Sequence, residues 1–204
     1  MLERAISLAI GYLFGCILTA ELVSRRYTGK SVFEIGSKNP GMANVMSNIG
    51  KEQGTMVLLG DIVKTILSMG ICWLLFRNSE AGIICIQYAG LGTVLGHNFP
   101  FWHRFRGGKG VTVTCSWMIL GFGFWGMLAD IAGAVVVLFT GWLPLGAVVI
   151  GIASIPVAFL ISGTEAGVLV CISCALMFSR HWHGLRRIVH GEEPAHMKLR
   201  KKEG

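Results

Sequence analysis

The chain has 204 residues, 53% of them hydrophobic and 14% charged, with a formal net charge of +7 at pH 7 and a mean hydropathy of +0.63. That balance is too apolar for an ordinary soluble domain of this length and marks an integral membrane protein. Alternating strands of the barrel kind are absent, and the positive-inside rule with anionic headgroups accounts for the net charge, so no nucleic acid partner is expected.

A helical span needs roughly 20 apolar residues. Seven segments are expected to cross the bilayer, at about 5–23, 54–76, 82–97, 110–127, 129–143, 145–161 and 164–179. The expected fold is therefore all-α, a polytopic membrane helical bundle forming a single integral-membrane domain over 1–204, with a basic cytoplasmic tail over 180–204. Only Trp142-Leu143-Pro144 and Ser162-Gly163-Thr164 punctuate the last three segments, so five or six spans is the alternative count. The first span is read as a retained helix. Met1-Leu2-Glu3-Arg4 lacks the positive excess of a signal peptide, and Phe14 is too bulky for a lipoprotein cleavage site before Cys16.

Lysines and arginines orient the bundle. Arg25, Arg26, Lys30, Lys38 and Lys51, then Arg104, Arg106 and Lys109, then Arg180, Arg186, Arg187 and the tail from Lys198 to Lys202 share one face. Arg4 and Arg77 have the other, and Lys64 lies within a span. The crowded face is expected in the cytoplasm, with the N-terminus outside and the C-terminus inside. The tail lysines read as a juxtamembrane anchor.

Three polar segments, Gly36 to Gly50, Gly96 to Thr114 and Arg180 to Glu193, fall on that same face. In the first, Gly36, Pro40 and Gly41 prevent regular helix while Ser37, Asn39 and Asn44 bring hydrogen-bonding groups. A turn-rich loop is the simpler reading; an oxyanion site is the sharper one. In the second, Gly107, Gly108 and Gly110 surround Lys109 just before an apolar helix. Backbone N–H groups, a lysine and a helix N-terminus can then converge on a phosphate. This is no Walker A loop, since Gly110 follows Lys109 where Ser or Thr belongs. The simpler reading is an interfacial loop with Phe99, Phe101, Trp102 and Phe105 in the headgroups. Asp61 and Lys64, three residues apart within a span, share one helical face, either as a neutralised pair or as the lining of a polar site.

The six cysteines lie in or beside apolar spans. Cys171-Ile-Ser-Cys174 has CxxC spacing but no flanking charge to stabilise a thiolate, so the cysteines are expected as small buried hydrophobes. His97, His103, His181, His183, His190 and His196 all lie on the basic face, without an HExxH motif. No metal and no cofactor are expected.

Together the three segments resemble the bacterial acyl-phosphate:glycerol-3-phosphate acyltransferase family of the PlsY type, over nearly the whole chain. The family's GSGNxGATNVxR stands here as Gly36-Ser37-Lys38-Asn39-Pro40-Gly41-Met42-Ala43-Asn44-Val45-Met46-Ser47. GHxFPxxxxFKGGKGVAT is matched from Gly96 to Thr112 at His97, Phe99, Pro100, Phe105, Gly107, Gly108, Lys109, Gly110 and Val111, and HxxNxxRLxxGxE at His181, Arg187, Gly191 and Glu193. Ser47 replaces an arginine, Met42-Ala43 replaces Ala-Thr, and Gly184 stands in the place of asparagine.

The resemblance implies transfer of a fatty acyl group from acyl phosphate to the 1-hydroxyl of glycerol 3-phosphate, for phospholipid biosynthesis. The bacterial inner membrane would house the enzyme, with its site facing the cytoplasm. It implies Ser37, His97, Lys109 and His181 as catalytic residues. Gly36, Asn39, Gly41, Asn44, Gly107, Gly108, Lys109, Gly110, Arg187 and Glu193 would bind substrate or phosphate, and Asp61 and Lys64 would support them. His97 and His181 are chemically able to act as a base, but the family's scheme gives the proton to the substrate's own phosphate. The expected partners are the two substrates and membrane lipid, with a monomer as the simplest state. Restoring Ser47→Arg and Gly184→Asn is expected to raise activity on glycerol 3-phosphate. A divergent relative with another phosphorylated acceptor or no activity is the second reading, and a small phosphate or organophosphate transporter the third.

Overall fold

The computed structural model describes residues 1–195, so His196 and the tail lysines lie outside the described residues. Every regular element among the described residues is helical: α1 (Leu2–Gly15), α2 (Thr19–Thr28), α3 (Met42–Asn48), α4 (Lys51–Phe76), α5 (Gly82–Asn98), α6 (Val111–Thr140) and α7 (Leu143–Val189), with short 3-10 turns at Val32–Glu34 and Phe101–His103. Among the described residues, four helical stretches are long and apolar enough to cross a membrane: Leu2–Thr28, Lys51–Phe76, Val111–Thr140 and Leu143–Val189. Leu59, Leu74, Leu75, Phe124, Trp125, Phe139 and Leu160 are all more than half exposed. In water such a surface would drive aggregation; against lipid it costs nothing. The chain forms two compact units, Met1–Trp117 and a second that begins at Met118.

The first unit is built on a glycine seam. Gly11 and Gly15 of α1 face Gly92 and Gly96 of α5, each four residues apart and so on one helical face. A Cβ added at Gly15 would lie 2.9 Å from the His97 nitrogen, and one at Gly96 would lie 2.8 Å from the Cys16 nitrogen. Those at Gly11 and Gly92 would run into the carbonyls of Ala89 and Leu8. Where lipid removes the hydrophobic drive between helices, such backbone-to-backbone approach supplies the packing.

The expected first span, about 5–23, is two helices. The chain breaks at residues 16–18, where Leu18 is extended (φ −84°, ψ 94°). The break frees carbonyls inside an apolar layer. Those of Gly15 and Ile17 accept from the Lys64 ammonium at 3.4 and 3.0 Å, and that of Cys16 accepts from the Trp102 indole at 2.9 Å. α2 ends at Gly29, whose φ of +70° suits glycine and whose N–H returns to the Arg25 carbonyl. Beneath the polar segment that follows, Ala20, Val23, Val32, Val45 and Val57 form a small buried core.

In the second unit the two longest helices fold back on themselves. α6 is interrupted at Gly123 (φ +58°, ψ −132°) and α7 at Gly163 (φ +79°, ψ −174°), conformations that favour glycine. A Cβ on Gly126 would lie 2.5 Å from the carbonyl carbon of Met118, eight residues earlier. A straight helix would hold those residues about 12 Å apart. Likewise a Cβ on Gly151 would lie 2.9 Å from the Cys174 Sγ, although 23 straight helical residues extend about 34 Å. α7 is therefore a hairpin. The first turning point lies at Gly123, not near residue 128 as the expected spans have it, because only glycine relieves the backbone there.

The seam predicts a contrast between glycines. Gly96→Val is expected to lower the thermal midpoint of the detergent-solubilised protein, as overpacking costs about 1–3 kcal/mol. Gly70→Ala in α4, where nothing lies within 4 Å of an added Cβ, is expected to leave it unchanged. Equal midpoints for both variants would show that the seam does not carry the packing.

Candidate active site

The first polar segment is folded around one amide. Asn44, buried in α3, accepts from the Ser37 N–H at 2.9 Å and from the Asn48 amide at 3.1 Å through Oδ1. Its Nδ2 donates to the Ile35 and Asn39 carbonyls, both at 3.0 Å. Every polar position of Asn44 is thus used inside the loop, so it shapes the loop and has nothing left for a ligand. Gly36 takes φ +51°, and a Cβ there would lie 2.5 Å from the Asn44 Oδ1. Gly41 is the extended N-cap of α3, against the Asn39 amide. What the loop exposes is Ser37 and Lys38, the latter in the left-handed region at φ 58°. Asn48, which the sequence did not single out, is part of this scaffold through its bond to the Asn44 carbonyl at 2.9 Å.

The second segment is moulded onto the last turn of α5. The His97 carbonyl accepts from the Gly108 N–H at 3.0 Å. A Cβ on Gly108 would run into the His97 Nε2, and one on Gly107 would lie 2.6 Å from the Pro100 ring and 2.7 Å from the Asn98 carbonyl. Gly110, at φ +79°, lies over the Asn98 side chain, with 2.7 Å from an added Cβ to Oδ1. These glycines are needed for close packing, and the Gly108 N–H is committed to protein. An anion would therefore be met by half-buried Lys109 and the N-terminus of α6. The Tyr12 hydroxyl donates to the Phe99 carbonyl at 2.8 Å, tying the loop to α1. Phe101, Trp102 and Phe105 are about half exposed. The Phe33 and His103 rings, 5.6 Å apart, set the 3-10 turn just before the first polar segment beside the second.

Asp61 and Lys64 are nearly inaccessible, and their ion pair measures 2.8 Å. The Lys64 ammonium also meets the His97 Nδ1 at 2.9 Å, and the Thr19 hydroxyl donates to Asp61 at 3.3 Å. The intramembrane pair thus reaches the second motif directly through His97. Sequence spacing showed the pair and not its third member, 33 residues away in the chain. Asn98 was likewise missed. It is fully buried, and neither amide atom has a hydrogen-bond partner. A polar residue closing an apolar helix was the only signal for it.

The third segment lies in the second unit. His181 is buried, with Nδ1 3.0 Å from the Met177 carbonyl. Arg187 donates to Glu193 at 2.6 Å, with the carboxylate side chain buried and the guanidinium half exposed. Gly191 takes φ +71°. Gly184 faces the Pro144 ring, 2.5 Å from an added Cβ to Cγ, and the Glu193 Oε1, 3.6 Å away.

Residues 5–191 match the family profile described as glycerol-3-phosphate acyltransferase. Glycerol-3-phosphate acyltransferase 1 of Lactobacillus johnsonii is 34% identical over 178 residues, which cover 86% of this chain and 84% of the relative. The glycerol-3-phosphate acyltransferase of Photobacterium profundum is 33% identical over 184 residues, covering 89% and 87%. The crystal structure of PlsY, an integral membrane glycerol 3-phosphate acyltransferase, in its glycerol 3-phosphate form shares the fold. The TM-score is 0.83 at 24% identity, over 94% of each chain. The lysophosphatidic acid form gives 0.80. By sequence match along nearly its whole length, this chain belongs to the glycerol-3-phosphate acyltransferase family.

Proposed function

We propose that the chain is a membrane acyltransferase that moves a fatty acyl group from acyl phosphate to the 1-hydroxyl of glycerol 3-phosphate. The observation that carries this is the family match over residues 5–191, which includes the first two polar motifs and the third as far as Gly191. The hydroxyl oxygen attacks the acyl carbonyl carbon, and the bond from that carbon to the phosphate oxygen breaks. Inorganic phosphate leaves with the electron pair, the hydroxyl proton passes to a phosphate oxygen, and lysophosphatidic acid is the product. Both substrates are anions, so positioning and charge neutralisation supply most of the rate gain.

In this proposal Lys109 and the N-terminus of α6 hold a phosphate. Ser37 and Asn39 orient substrate oxygens on a loop built by Gly36, Gly41 and Asn44, while Gly107, Gly108 and Gly110 let the second loop lie close on α5. In the second unit His181 and Arg187, the latter held by Glu193, are the candidate substrate contacts. Seven crossings, with the N-terminus outside and the site facing the cytoplasm of the bacterial inner membrane, belong to the same proposal. The concentration of basic residues in the three polar segments supports that orientation, as the breaks at Gly123 and Gly163 support the higher helix count.

The assay gives purified protein palmitoyl phosphate with and without glycerol 3-phosphate, and follows phosphate and lysophosphatidic acid together. Acceptor-dependent phosphate release with matching product is expected. Lys109→Ala is expected to lower turnover ~100-fold or more, as loss of a preorganised cation at developing charge does, while Cys171→Ala leaves it unchanged. Donor hydrolysis without acylation of glycerol 3-phosphate would favour another acceptor, and full activity in the lysine variant would remove Lys109 from the site.

Gly184 alters one expectation from sequence. Because a side chain at 184 meets the Pro144 ring, Gly184→Asn alone is expected to lower both the thermal midpoint and activity. Pro144→Ala combined with Gly184→Asn removes the Cγ contact but keeps a Cβ 2.9 Å away, so it should recover only part of the midpoint. Higher activity in the single variant would show that the proline yields. Ser47, exposed on α3, has room for Ser47→Arg, which is still expected to raise activity on glycerol 3-phosphate.

A further inference from the structure

Lys38 stands in a backbone conformation that favours glycine, at φ +58°. Hydrogen bonds of the main chain impose it. The Lys38 N–H donates to the Ile35 carbonyl at 2.9 Å, and the residues on either side are held by one amide. The Ser37 N–H donates to the Asn44 Oδ1 at 2.9 Å, and the Asn39 carbonyl accepts from the Asn44 Nδ2 at 3.0 Å. None of these bonds uses the lysine side chain, so a glycine would make all of them without strain. A residue kept against its backbone preference in a candidate site points to a use for its side chain. Lys38 is exposed beside Ser37, and among the described residues no carboxylate pairs with its ammonium.

Charge along the segment points to the same use. The motif GSGNxGATNVxR specifies one charged residue, the arginine at its end. The stretch from Gly36 to Ser47 also carries one charge, but it is Lys38, where the motif has glycine, and the arginine's place is taken by Ser47. Both positions belong to one folded piece. Gly36 packs against the side chains of Asn44 and Asn48 in α3, and Ser47, next to Asn48, is exposed as Lys38 is. A flexible four-carbon stem ending in an ammonium suits a phosphate arriving from water, which it meets as a point charge.

We propose that Lys38 is a substrate-binding residue: it takes the phosphate monoester of glycerol 3-phosphate, and so supplies from position 38 the loop cation that the motif has at 47. The acceptor is assigned, rather than the acyl phosphate, because Lys38 is exposed on a polar loop that a water-soluble anion reaches, whereas its acyl chain holds the donor in lipid. The proposal rests on the acyltransferase reading.

All arms of the test use the full-length protein in detergent micelles. Lys38→Gly is expected to raise the thermal midpoint by about 2–4 °C, as relief of a left-handed side chain does. It is also expected to raise KM for glycerol 3-phosphate ~10-fold, the scale of a lost charge-assisted contact. Lys38→Gln keeps a side chain on the same backbone without the charge, and is expected to raise that KM equally with no gain in midpoint. KM for palmitoyl phosphate stays unchanged in both. Ser47→Arg is expected to lower KM for glycerol 3-phosphate more in the Lys38→Gly background than in wild type, because the two cations serve one phosphate. An unchanged acceptor KM in Lys38→Gln, a rise in the donor KM instead, or an equal effect of Ser47→Arg in both backgrounds would overturn the proposal. A lower midpoint in Lys38→Gly would also overturn it, since the lysine would then serve the fold. If wild type does not acylate glycerol 3-phosphate, the functional reading fails, and titration calorimetry with glycerol 3-phosphate decides Lys38 by itself. Weaker binding by Lys38→Gln than by wild type upholds its role; equal binding, or none by either, overturns it.

Discussion

A single buried ammonium joins the parts of the first unit that have to stay together. Lys64 meets the carbonyls freed where α1 gives way to α2, the carboxylate of Asp61 on its own helix, and the ring of His97 at the end of α5. In lipid the broken helix is tolerable only because those carbonyls find donors. Removing the lysine would leave a buried carboxylate uncompensated, a loss of about 3–5 kcal/mol, and would release His97 from its orientation. Fold stability and site geometry thus depend on the same atom, so substitutions at Lys64 alter both at once.

Much of the helical framework was visible in the sequence, because apolar length is a strong signal and Gly163 punctuates it. The other breaks were not. Cys16-Ile17-Leu18 contains no glycine or proline, and what stabilises the break there is a lysine and a tryptophan far along the chain. Gly123 lies among other glycines on an apolar run, and nothing local distinguishes the one that turns. The candidate site divides in the same way. Motif positions were legible from residue type and spacing. The saturation of Asn44, the contact from Lys64 to His97 and the filling of the space at Gly184 by Pro144 are tertiary facts without local trace.

The glycine-rich turn before α6 illustrates how one pattern serves two requirements. Gly107 and Gly108 are small because the end of α5 lies directly beneath them, and the Gly108 N–H is already bonded to the His97 carbonyl. The close fit leaves Lys109, half-buried, as the charged residue of the turn, with the dipole of α6 behind it. Packing and anion binding are compatible here since the first fixes the backbone on which the second relies.

The seam between α1 and α5 also bears on how the molecule is made. Gly11 leaves the ribosome 81 residues ahead of Gly92, and at roughly 5–20 residues per second the delay is on the order of 4–16 s. For that interval the first helix resides in the bilayer with its smallest face against lipid and the carbonyls of its broken end unmet. The translocation machinery or surrounding lipid must shelter it until α4 and α5 arrive. The seam therefore cannot close until α5 has been made, and a seam variant would prolong the interval in which the small face of the first helix has no partner.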